Sequence, residues 1–143
     1  MVTTNEIRQS IVVKANRERV WRALTQPKHF SNWFGMKIEF PVLAVGEAMI
    51  FDPNGFNGKG RIAAIQPMDQ FAFYWTAEPG LAIETLVTFQ LETVADGTQV
   101  TVTDVGYDAL PESVVARRFR MNNDGWAEQM DNIAKYVEKE HDD

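Results

Sequence analysis

The sequence is 143 residues long, 45% hydrophobic and 24% charged, with a formal net charge of −6, which suits one globular domain spanning residues 1–143 with a core of its own. Its 14 Lys and Arg are scattered among 20 Asp and Glu, so nucleic acid finds no clustered cations, and no apolar run approaches the ~20 residues of a membrane span. Without cysteine there is no disulfide framework, thiol nucleophile or thiolate metal site, and the opening Met-Val-Thr-Thr-Asn-Glu lacks the basic and apolar regions of a signal peptide; a cytoplasmic protein is expected, with a neutral or apolar partner or a basic protein surface.

Ile7 to Val13 is rich in β-branched residues and reads as a first strand. Asn16 is placed to cap a short helix from Arg17 to Leu24, with Glu18 in its first turn and Val20, Trp21 and Leu24 on one face. Pro27 opens a second short helix, Lys28 to Phe34, in which Phe30, Trp33 and Phe34 repeat that spacing, and Gly35 closes it. Met36 to Phe40 and Ala48 to Phe51 are short strand candidates separated by Pro41 and Gly46. The run Asp52-Pro-Asn-Gly-Phe-Asn-Gly is dense in turn formers and predicts a loop. Gly60 to Gln66 follows as a strand, then a turn from Pro67 to Gln70. Phe71 to Thr76 is the most aromatic strand, with Phe71, Phe73 and Trp75 on one face and Tyr74 on the other. From Ala82 to Glu92 the residues Ile83, Thr85, Val87, Phe89 and Leu91 share one face. Asp96-Gly97 signals a hairpin, and Gln99 to Val105 completes the run with Val100 and Val102 inward.

Pro111 to Glu140 predicts one long amphipathic helix. On a helical wheel Val115, Phe119, Met130, Ile133 and Val137 fall in a sector about 60° wide around Trp126. One polar residue, Asn122, sits inside that stripe. Consecutive strands joined by short turns form an antiparallel meander, and only this helix, ~40 Å at 1.5 Å per residue, is long enough to cover it. The expected class is therefore α+β: a curved antiparallel sheet of about six to seven strands wrapped around a long C-terminal helix, with two short helices after the first strand. A curved sheet gripping one helix encloses more volume than the helix fills, which predicts a cavity.

Several segments, taken in order, resemble a known family. Pro27-Lys-His-Phe-Ser-Asn-Trp-Phe, Gly60-Arg-Ile-Ala-Ala-Ile-Gln-Pro with Phe71-Ala-Phe-Tyr-Trp, Gly97-Thr-Gln-Val-Thr-Val, and Gly125-Trp126 are similar to the activator-of-heat-shock-protein-90 ATPase homologue (AHSA1-like) family. That family belongs to the START-like, polyketide-cyclase-like (SRPBCC) superfamily with the helix-grip fold. The resemblance covers nearly the whole chain and implies the fold derived above. It does not select a function, because the superfamily includes lipid and hormone carriers, aromatase/cyclase enzymes and a domain of a eukaryotic cochaperone.

Catalytic motifs are sparse. There is no His-Glu-x-x-His, Gly-x-Ser-x-Gly, phosphate-binding loop or dinucleotide fingerprint, and Gly55, Gly58 and Gly60 read as turn residues. Of the two histidines, His29 lies in the second short helix and His141 in the C-terminal tail, so neither a metal site nor a cofactor is expected. Polar candidates for the cavity are Asp104, Glu84, Arg61, Tyr74, Tyr107 and Asn122. Glu84 and Arg61 read as the solvated face of the sheet; Asn122 bonds either a ligand or a loop. Strict alternation puts Asp104 inward, where a buried carboxylate would have a raised pKa and could act as an acid or base. Alternatively the strand is ending and Asp104 sits at the solvated rim or pairs with an arginine, the reading we favour.

The aromatic residues carry the functional reading. Trp33, Phe51, Phe73, Trp75, Phe89 and Trp126 can converge between sheet and helix, with Met49 and Met130 as adaptable fillers. Together with Asn122 they form the expected ligand-binding set, mostly apolar walls with few polar groups. Each of them alone also suits a plain core. Gly125 beside Trp126 weakens the helix, and a close backbone approach to the sheet is its expected reason. Three functions fit. The leading one is a non-enzymatic module that binds a small hydrophobic or aromatic molecule in the cavity. The second is an enzyme of the cyclase, dehydratase or hydrolase type, with Asp104 or a tyrosine giving acid–base help. The third is a protein-interaction module with a chaperone as partner, or a homodimer, although no exposed apolar stripe marks a docking face.

Overall fold

The alternation in the middle of the chain builds one antiparallel sheet, seen in a computed structural model that describes residues 5–55 and 58–139. Its strands are β1 (Glu6–Val13), β2 (Ile38–Glu39), β3 (Ala48–Phe51), β4 (Gly58–Gln66), β5 (Gln70–Thr76), β6 (Glu84–Val94) and β7 (Gly97–Val105). They lie in the order β1-β7-β6-β5-β4-β3-β2, all pairs antiparallel. Two short helices, α1 (Arg17–Thr25) and α2 (Pro27–Phe34), follow β1, and α3 (Glu112–Glu138) follows β7. This is the helix-grip α+β architecture that the pattern predicts.

Local chemistry sets the helix starts. The Asn16 side chain accepts the Arg19 backbone N–H at 3.0 Å and satisfies one of the open donors of α1. Pro27 sits in the first turn of α2, where its missing N–H costs nothing. The sheet bends at a register shift between Ile62 and Ala64 of β4, as a bulged strand does. Gly60 lets β4 press against β5: a Cβ there would lie 2.3 Å from the Tyr74 carbonyl oxygen.

The inward face of the sheet, with Ile7, Phe71, Phe73, Val87, Phe89 and Val102, is fully buried. Onto it α3 lays Trp126, Met130, Ile133, Ala134 and Val137, each large apolar side chain contributing ~1.5–3 kcal/mol by leaving water. The first half of α3 behaves differently from the expected continuous stripe. Val115, Phe119 and Asn122 are only half-buried, because this half rests on loops: Arg118 reaches Glu78 between β5 and β6, and Phe119 packs edge-on against Tyr107.

Several boundaries shift. β4 begins at Gly58 rather than Gly60, so Gly58 and Gly60 are strand residues and not the expected turn residues, and β7 begins at Gly97 rather than Gln99. β6 begins at Glu84 rather than Ala82, and since Val94 pairs with Gly97 the hairpin turn is Ala95-Asp96. β2 keeps only two residues before Pro41, which cannot donate to a ladder. Met1–Thr4, Phe56 and Asn57 of the predicted loop, Glu140 at the predicted helix end, and His141 lie outside the described residues.

Candidate functional site

Alternation along β7 carries Asp104 to the same side as Val100 and Val102, and it is 0% exposed. The expected rim or arginine-paired position is thereby corrected. β1 and β6 continue beside β7 at this level, pairing Ile7 and Val87 with Asp104, so the strand has not reached solvent. No arginine bonds the carboxylate. Instead Gly106, with φ 114, turns the chain so that Tyr107 of a short 3-10 turn (Tyr107–Ala109) folds back over β7. The Tyr107 O–H donates to Asp104 Oδ2 at 2.5 Å, and the Trp126 indole N–H donates to the same oxygen at 3.0 Å. Asn122, one turn before Trp126 on the same face of α3, donates through Nδ2 to the Tyr107 hydroxyl at 2.7 Å. Asn122 thus makes the expected bond to a loop while also lining a hollow beside Trp126.

Asp104 Oδ1 has no hydrogen-bond partner. The nearby Thr85 hydroxyl accepts the Trp75 indole N–H at 3.1 Å but makes no bond to Oδ1. Burial pushes the Asp104 carboxyl above its ordinary value; Thr85, Tyr107, Trp126 and Trp75 partly oppose that. The Tyr107 phenol is pushed well above the usual tyrosine range, first by burial and then by its proximity to Asp104. In the neutral form of this carboxyl the proton sits on Oδ1, because Oδ2 already accepts two bonds.

Trp126 and Asn122 also wall a hollow of about 90 Å³, completed by Phe34, Trp75, Gly125 and Gln129. Its three rings touch one another, with centroids 5.4 Å apart for Trp75–Trp126, 5.9 Å for Phe34–Trp126 and 6.3 Å for Phe34–Trp75. Gln129 is oriented by its own bonds, donating to the Phe34 carbonyl at 2.9 Å and accepting from Asn132 at 3.1 Å. Gly125 does not mark a close approach to the sheet, as expected from sequence; a Cβ there would meet nothing within 4 Å, and the position opens on the hollow.

Of the predicted ligand set, Trp75, Asn122 and Trp126 come together at this hollow. Trp33, Met49, Phe51, Phe73, Phe89 and Met130 are at most 3% exposed and pack into the core, with Phe51 and Phe73 at 5.5 Å and Phe73 and Phe89 at 6.2 Å. Aromatic rings therefore occupy most of the space expected for a cavity. Phe34 and Gln129 are wall residues that sequence reasoning did not single out; Gln129 lies three residues after Trp126, a helical spacing that points to it. Arg61 and Glu84 pair at 3.0 Å on the outer face, with the Arg61 guanidinium 4.1 Å over the Tyr74 ring. His29 is buried against the Tyr136 hydroxyl at 2.6 Å. Among the described residues no three imidazole or carboxylate groups converge as metal ligands.

A larger groove, about 830 Å³, lies elsewhere, between α2 and the edge strands β2 and β3. Size does not decide between the two. The buried atom lacking a partner belongs to the Asp104 cluster, so that cluster is the candidate site for chemistry or ligand recognition.

Comparison with known proteins follows the same architecture. The family model described as Activator of Hsp90 ATPase homolog 1-like protein matches residues 14–138. Among solved structures, DynU16, from the dynemicin biosynthetic locus, is 26% identical with a TM-score of 0.74, over 94% of this chain and 47% of that one; this chain spans about half of its length. The Aha1 dimer from Colwellia psychrerythraea is 24% identical with a TM-score of 0.75, over 96% of this chain and 97% of that one. MLL2253 from Mesorhizobium loti is 21% identical with a TM-score of 0.78, over 92% and 96%. The last two likenesses concern the fold alone. No curated protein matches the sequence.

Proposed function

The chain belongs to the family of Activator of Hsp90 ATPase homolog 1-like proteins, and from that premise we propose that it acts as a single domain over residues 1–143 that binds a small hydrophobic or aromatic molecule between the sheet and α3. One observation carries this reading: Trp126, whose indole N–H bonds a buried carboxyl that has one unpartnered oxygen, also walls the hollow together with Phe34 and Trp75. Buried polar atoms are normally paired, and an orphan costs ~1–3 kcal/mol. A ligand with a flat apolar body and one oxygen fits such a wall, its rings against the indoles and its oxygen toward Asn122. A ligand larger than the hollow extends past its rim or lifts the first half of α3. That half carries no fully buried residue and is tied down by Arg118 on Glu78 at 2.7 Å. Among the described residues no helix is long and apolar enough to cross a membrane; a cytoplasmic location is part of the proposal.

A second reading is an acid–base enzyme of the cyclase, dehydratase or hydrolase type. Its supporting observation is that Asp104 faces inward with its carboxyl raised by burial. In this reading the neutral acid hydrogen-bonds a substrate carbonyl and stabilises charge building on that oxygen.

Native mass spectrometry of freshly purified protein, before and after denaturation, tests the binding reading. A bound mass that vanishes on denaturation supports it. A clean apo mass, both fresh and after incubation with 2-naphthol, sinks it.

A further inference from the structure

The groove at the free end of the sheet is a different kind of site. β2 floors it, α2 walls one side and β3 the other, and Ile38, Phe40, Pro41, Val42, Ala48 and Ile50 give it an apolar lining. Its lip is apolar too. In the loop joining β2 to β3, Val42, Leu43 and Val45 are 48%, 43% and 64% exposed. The other large hydrophobic residues exposed among the described ones, Val12, Met68 and Met121, stand apart. Single exposed apolar residues need no explanation, but three within four positions beside a groove do. The sequence reading finds no exposed apolar stripe; this one follows no period because it lies in a loop.

Backbone pairing does not fill the groove. The Ser31 hydroxyl of α2 takes both open groups of the edge residue, accepting from the Ile38 N–H at 2.9 Å and donating to its C=O at 3.3 Å. A peptide cannot add as an eighth strand there without displacing Ser31, so the occupant must bind through side chains.

Charge selects the occupant. Lys37 and Glu39 on the rim pair with each other at 3.6 Å. Lys28 on α2 and Glu47 at the foot of β3 also line the groove, and neither has an ion-pair partner among the described residues. One uncommitted cation and one uncommitted anion on opposite walls make a self-complementary rim. A two-fold axis through the groove would set each Lys28 opposite the other copy's Glu47 and each lip at the other copy's groove. The rim is neutral overall on a chain of net charge −6, so two copies repel each other less here than elsewhere. We infer that this protein forms a two-fold symmetric dimer through the groove, a second copy of the chain being the occupant and Val42, Leu43 and Val45 the inserted side chains. The inference stands apart from the ligand reading, because the groove and the Asp104 cluster share no residue.

Sedimentation velocity on the full chain, at protein concentrations from micromolar to hundreds of micromolar, tests it with Lys28→Glu and Glu47→Lys. The wild type should dimerise. Either reversal alone puts like charges at both symmetric contacts and should raise the dimer Kd roughly tenfold or more. Mixing the two variants one to one should return the Kd to the wild-type value, since both contacts of the mixed dimer again join opposite charges. Val45→Asp should weaken the dimer without rescue by mixing. Matching melting curves confirm that these surface changes leave the fold intact. A wild type monomeric throughout, reversals without effect, or a mixture that fails to recover would each overturn the inference.

Discussion

Replacing Asp104 by Asn tests the buried acid with little change of shape. The Asn carbonyl oxygen can accept from Tyr107 and Trp126 as Asp104 Oδ2 does, and its NH2 takes the place of the neutral Oδ1–H. What disappears is the ability to ionise. In the wild type, burial raises the native carboxyl above the ordinary 3.8. Below 3.8 both states hold the proton and the group contributes no pH dependence. Between that value and the native one, the unfolded chain has released a proton that the native chain keeps, so stability falls as pH rises, by about 1.4 kcal/mol per pH unit. Above the native value both states are ionised, the slope vanishes, and the wild type carries the full penalty. D104N has no such slope. Its stability relative to wild type should therefore grow by about 1.4 kcal/mol per unit from about pH 4 upward, until the native carboxyl ionises. Urea denaturation of both proteins at half-unit steps from about pH 4 to about pH 8, extrapolated to water, measures the difference. A difference flat in pH, or one that shrinks as pH rises, would refute the buried neutral acid.

Other consequences are simpler to read. Tyr107→Phe removes the hydroxyl that links Asn122 to Asp104, and denaturation should report a loss of ~1–3 kcal/mol; an unchanged midpoint would mean that the link contributes nothing. Gly60→Ala forces a Cβ to 2.3 Å from the Tyr74 carbonyl oxygen and should cost ~1–3 kcal/mol, whereas a neutral effect would contradict the close approach of β4 and β5. The Arg118 hydrogen bond, outweighing burial, holds the Glu78 carboxyl below 4.5, so the contribution of this contact is present above 4.5 and lost as pH falls below it. Glu78→Gln should accordingly speed amide exchange in residues 112–124 at neutral pH, with the difference from wild type fading in acid. Equal exchange at neutral pH would show that the contact does not hold α3 down.

Periodicity made the meander and its covering helix legible, because each strand buries one face and α3 buries one stripe. The inward direction of Asp104 was equally legible from Val100 and Val102. Its burial was not, since that depends on β1 and β6 running on beside it, a matter of register between segments far apart in sequence. The bond from Tyr107 needed the turn at Gly106, whose outcome no alternation predicts. Trp75, Asn122 and Trp126 were found from residue type and spacing, but how much space the rings leave was not, because volume depends on side chains from α2, β5, β6 and α3 together. The apolar lip at Val42, Leu43 and Val45 escaped because exposure in a loop leaves no repeat to read.

The central claim is that the hollow beneath α3 receives a ligand. Its most direct test follows the indole N–H resonances of the four tryptophans by nitrogen-15 NMR during titration with 2-naphthol. Saturable shifts are expected at Trp75 and Trp126, which wall the hollow, and none at Trp21, which does not. Resonances of Trp75 and Trp126 that stay fixed at saturating 2-naphthol, or shifts confined to the other tryptophans, would contradict it.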